Sequence, residues 1–152
     1  MSKRKFLDDY VEIADIHIYR LKAGINNTKS LFPINKSILE NVSDGEVAFL
    51  DMMTTRFGKL QDLIAAKIFP LILDLLGENV SSVKDNLNKL EKLEYINNAN
   101  WWMHIRELRN QLTHDYPNEY IMLSEHLNEL IVDIKKLIEE WNYIKNKISK
   151  IY

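Results

Sequence analysis

Apolar residues recur at intervals of three and four along nearly the whole of this 152-residue chain, which holds only 4 Gly and 3 Pro. That period belongs to a helix with one buried face, and no stretch of useful length shows the alternation of a strand. The expectation is therefore an all-α chain. Helices are expected at about 4–30, 45–77, 82–96, 98–114 and 117–150, with ends uncertain by about 2–4 residues. Short connections favour an antiparallel four-helix bundle with an extra short helix, spanning 1–152 as a single domain.

Local signals punctuate this pattern. Phe32-Pro33-Ile34-Asn35 interrupts it, and Ser43-Asp44-Gly45-Glu46 restarts it with a capping residue and an acidic first turn. Pro70 should kink or divide the long second helix, because proline removes a backbone donor and crowds the preceding turn. Gly77 ends that helix, Ser81 or Ser82 caps the next, and Asn97-Asn98 separates it from the fourth. Pro117 suits the first turn of the last helix. In the first helix Phe6, Leu7, Tyr10, Ile13, Ala14, His17, Leu21 and Ile25 form one stripe. In the fourth, Trp101, Ile105, Leu108 and Leu112 form another, leaving Arg109 in line with Trp102, Arg106 and Thr113.

Composition narrows the chemistry. With 46% hydrophobic and 28% charged residues the chain can bury a real core. The absence of cysteine removes disulfides, thiolate metal sites and a thiol nucleophile together. A cytoplasmic setting is expected, with no secretory leader in the basic, then acidic, N-terminal segment. The most apolar run, Leu63 to Leu76, is broken by Lys67, Pro70 and Asp74, so no membrane span is expected. A net charge of −2, from 20 basic and 22 acidic side chains, gives the whole molecule no electrostatic reason to seek nucleic acid. Any RNA contact has to be local.

One stretch carries the residues for such a contact: Arg109-Asn110-Gln111-Leu112-Thr113-His114-Asp115-Tyr116. Arginine offers a permanent, fork-shaped cation for phosphate oxygens, and histidine exchanges a proton near neutral pH. Taken singly, His114 reads as a helix-end cap, Arg109 as an ion-paired surface residue and Tyr116 as a core-edge residue. Their joint spacing changes that reading.

The octet resembles the Arg-x4-His-x-Tyr signature of HEPN-domain proteins, in particular HepT-like toxins that pair with minimal nucleotidyltransferases. Arg56-Phe57-Gly58-Lys59-Leu60-Gln61-Asp62 with Ile68-Phe69-Pro70, and Leu87 to Leu93, are similar to the helices that precede the motif in those relatives. The resemblance extends over roughly 44–120. It implies a HEPN-like fold, a homodimer with paired motifs lining one cleft, and a metal-independent endoribonuclease in a toxin–antitoxin pair. Arg109, Asn110 and His114 are then the catalytic residues, and Tyr116 is the tyrosine to which the cognate nucleotidyltransferase attaches AMP. A non-catalytic nucleotidyltransferase-binding subunit is the alternative, and a helical scaffold without chemistry is a third.

In such a site a ribose 2′-OH attacks the neighbouring phosphate, with His114 as general acid or base and Arg109 against the developing charge. Positions five apart on an ideal helix differ by about 140°. Arg109 and His114 therefore need either a break in the helix near His114 or a two-fold partner to meet one phosphate.

No cofactor is expected. His17, His104 and His126 lack partners at the linear spacing of metal ligands, and there is no phosphate-binding glycine loop or nucleotidyltransferase Gly-Ser and Asp-x-Asp motif. Trp101, Trp102 and Trp141 are expected in the core or an interface, and the lysines of the last helix on a solvated face.

Overall fold

The computed structural model describes residues 2–112 and 120–151, and the side chains of all of these save 120–122. The described residues are helical, with no strand among them. Helix α1 spans Lys3–Thr28 and passes into a 3-10 turn at Lys29–Leu31; the short α2 follows at Lys36–Asn41. Helix α3 spans Asp44–Leu63 and continues through a π-helical turn, Ile64–Ile68, into α4, Phe69–Leu75. Then come α5 (Val83–Lys92), α6 (Ala99–Leu112) and α7 (Tyr120–Ile148). None of these helices is long and apolar enough to cross a membrane.

The helix starts follow from their polar residues. Ser43 Oγ accepts from Glu46 N at 3.1 Å while Ser43 N donates to the Glu46 carboxylate at 2.9 Å, a reciprocal capping box. Ser82 caps α5 by accepting from Asp85 N at 3.2 Å, and Asn98 accepts from Trp101 N at 3.1 Å where α6 begins. The long second helix is divided just before Pro70, where the ladder widens and Phe69 N donates five residues back to Ile64 O.

Gly77, at φ +77°, ends α4 in a left-handed cap, with Glu78 N donating to Leu73 O and Gly77 N to Asp74 O. The same hydrogen-bond pattern ends α5 earlier than expected, at Lys92. There Glu94 takes the left-handed conformation, at φ 63°, and Tyr95 N donates to Leu90 O at 2.9 Å.

The core joins α1 to α3 and places α6 among α3, α5 and α7. Gly24 lets α1 approach α3 closely, because a Cβ there would run into the side chain of Met53. Along α1 the buried stripe is narrower than the sequence suggests: Leu7, Ala14, His17, Ile18 and Leu21 are buried, whereas Phe6 and Ile13 stay exposed. In α6 the buried stripe is Ala99, Trp102, Ile105 and Leu108. Trp102 therefore replaces Trp101 in the core, packing edge-on against Phe69 with ring centroids 4.9 Å apart.

Candidate functional site at the α3 and α6 face

That rotation of α6 decides where Arg109 lies. Seven residues beyond buried Trp102 is almost two full turns, so Arg109 falls at the end of the packed face, half-buried against α3. Its Nη2 donates to Asp62 Oδ2 at 2.6 Å, with the two side chains 34% and 49% exposed. A pair this open adds little stability. Its effect is on geometry, because it holds a long side chain along one line. Gly58 lies beside that line, where even a Cβ would stand 3.5 Å from Arg109 Cγ and Nε, in ordinary contact.

Arg109 and Asp62 border a cavity of about 400 Å³ whose wall also carries Thr54, Thr55, Lys59 and Leu112. Two cations, one carboxylate and two hydroxyls thus face one opening. Through Thr54, Thr55 and Leu112 it adjoins a larger cavity of about 590 Å³ whose wall carries Asp51 among Leu39, Val42, Leu50, Leu123 and Leu127. An arginine has five N–H donors, and Asp62 engages one terminal nitrogen. Asn110, about 100° further around α6, is exposed. His114 and Tyr116 lie outside the described residues, as do Pro117 and the expected break in the helix near His114.

One turn before Lys59, Arg56 Nη1 lies 3.3 Å from His17 Nδ1. Burial, followed by the positive charges of Arg56 and Lys59, holds the His17 imidazole below its ordinary 6.5. A neutral His17 with its proton on Nε2 accepts the Arg56 hydrogen bond.

Two meetings of side chains were out of reach of linear spacing. Asp62 stands 47 positions before the arginine it pairs with. His104, which has no metal-ligand partner along its own helix, meets Glu129 and Asp133 of α7. The signal that could have pointed to the second is the placement of Glu129 and Asp133 four apart on one helical face.

Neither the family models, nor the curated proteins, nor the solved structures with which the chain was compared give a match.

Proposed function

We propose that this protein is a metal-independent endoribonuclease of the HEPN type, the toxin of a toxin–antitoxin pair with a minimal nucleotidyltransferase. The observation that carries the reading is the Arg109-to-Tyr116 octet, whose arginine borders an open cavity together with Lys59 and two threonine hydroxyls. Arg109 and Lys59 supply local positive charge that the chain as a whole lacks, and a phosphate oxygen is the ligand such a pair suits. In the proposed reaction Arg109 neutralises the phosphoryl oxygens, His114 moves the proton, and Asn110 orients the histidine or binds phosphate. Only RNA carries the attacking 2′-OH.

The proposed assembly is a two-fold homodimer that brings two motifs into one cleft. In each subunit α1, the α3–α4 rod, α6 and α7 serve as the four long helices of an antiparallel bundle, with α2 and α5 as short additions. AMP attached to Tyr116 sets a negative phosphate near Arg109 and so opposes RNA binding.

The test is cleavage of RNA by the wild type, Arg109→Ala and His114→Ala. Each substitution is expected to lower the rate by about 10²-fold or more while the helical circular dichroism stays unchanged. Cleavage is expected to persist in a chelator. Undiminished cleavage by His114→Ala, or its loss in the wild type on chelation, overturns the mechanism.

The 2.6 Å pairing of Arg109 with Asp62 favours a second reading, in which the arginine serves structure and the protein is a non-catalytic partner of the nucleotidyltransferase. Absence of cleavage by the wild type, together with a stable complex between the two proteins, selects that reading.

A further inference from the structure

His104 of α6 and Glu129 and Asp133 of α7 bring three metal-ligating atoms within 4.8 Å of one another. His104 Nε2 stands 2.8 Å from Asp133 Oδ2 and 3.1 Å from Glu129 Oε1. With metal–ligand bonds of about 2.0–2.2 Å, neighbouring ligands of a tetrahedral or octahedral ion stand roughly 2.8–3.6 Å apart. Both distances from the imidazole fall in that range. Asp133 is 6% exposed, and its other oxygen accepts a hydrogen bond from Trp101 Nε1 at 3.2 Å. This is the kind of outer contact that orients a ligating carboxylate.

Charge makes the cluster incomplete without a cation. Two carboxylates share one imidazole nitrogen, and a single ring nitrogen carries at most one proton, so it cannot satisfy both. Glu129 and Asp133, four apart on one helix, repel each other. Lys136, three residues beyond Asp133 on α7, is turned over the ring of Trp101, 4.9 Å from its centroid. Against its charge, buried Asp133 has the Trp101 N–H and a share of one imidazole.

We propose that His104, Glu129 and Asp133 bind a divalent transition-metal ion of the zinc class and thereby bridge α6 to α7. One nitrogen and two carboxylate oxygens suit such an ion better than magnesium or calcium, which favour oxygen ligands in larger number. His104 and Glu129 are each 42% exposed at the side chain, so the ion has an entry path and keeps at least one position for water. The site is separate from the proposed ribonuclease site, because five residues along α6 put His104 about 140° around the helix from Arg109.

The test is titration of the metal-stripped protein with Zn²⁺, followed by calorimetry and by the fluorescence of the tryptophans, of which Trp101 touches the site. The wild type is expected to bind one equivalent per chain and to gain thermal stability. Glu129→Gln and His104→Gln, both at half-exposed positions, are expected to weaken binding at least about tenfold. Trp101→Phe, which keeps every ligand and an aromatic ring but removes the hydrogen bond to Asp133, is expected to weaken it by about 10–100-fold. Circular dichroism in chelator checks that each variant folds. Lack of saturable Zn²⁺ binding by the wild type overturns the proposal, as does equal affinity in the Glu129→Gln, His104→Gln double variant. Neither result bears on RNA cleavage.

Discussion

His17 is an imidazole placed where a charge is unwelcome, 8% exposed and beside Arg56. Its folded-state pKa lies below the unfolded value, so above about pH 6.5 it is neutral in both states and costs nothing. As the pH falls below that value the unfolded chain takes up a proton that the folded chain refuses, and stability declines. The decline levels off once the pH passes the lower folded-state value. Denaturant unfolding measured from about pH 8 down to about pH 5 is expected to show this loss in the wild type and a smaller one in His17→Gln. Equal slopes would assign the acid sensitivity to other groups. None of this was legible in the sequence, where His17 reads as one more position of an apolar stripe. Its burial and its contact with Arg56, 39 residues away, exist only once α1 meets α3.

Between Leu31 and α2 the chain is held by α7. Asn128 Oδ1 accepts from Ile34 N at 2.7 Å and its Nδ2 donates to Ile34 O at 2.9 Å, so one amide satisfies both backbone groups of a buried residue. Asn128→Ala leaves both groups unpaired and is expected to cost about 1–3 kcal/mol, measured as a shift in the urea midpoint. A loss below about 0.5 kcal/mol would mean that water replaces the amide. Local signals of the same polar kind were readable in advance. Ser43, Ser82 and Gly77 act within their own turns and do what their sequence neighbourhoods indicate. The facing of α6 was not readable, because Trp101, Trp102 and Met103 are consecutive and large, and a periodic pattern with apolar residues on adjacent faces fits more than one rotation. Packing against Phe69 chose Trp102. That choice also moved Arg109 from the flank to the edge of the packed face.

Ends far apart in sequence are tied together. Arg4 Nη1 donates to the carbonyl oxygens of Ile148 and Ile151, at 3.2 and 2.6 Å, and so caps the last turn of α7 from the first turn of α1. Asp15 of α1 accepts from Trp141 Nε1 at 2.9 Å and Lys145 Nζ at 3.0 Å of α7. The outer side of α1, by contrast, leaves Phe6, Ile13, Ile16 and Tyr19 exposed, apolar area available to self-association. Under the proposed two-fold assembly, sedimentation at micromolar concentration is expected to give twice the chain mass of 18.0 kDa. A strictly monomeric species removes the composite site and demotes catalysis, leaving a helix break near His114 as the one route that brings Arg109 and His114 to one phosphate. The helical class of the molecule was plain from its periodicity. The pairing of Asp62 with Arg109, and the meeting of His104 with Glu129 and Asp133, depend on which helices become neighbours.

The π-helical turn at Ile64–Ile68 amounts to one surplus residue held within a continuous rod. Remove any one of the five and the rod can close as a regular α-helix, with its hydrogen bonds intact. The wide turn has absorbed that residue without turning the helix beyond it, so Phe69, Ile72 and Leu73 then keep their faces toward the core and Trp102 keeps its edge-on partner. This is the place where the α3–α4 rod can lose one residue without turning its far end off the core.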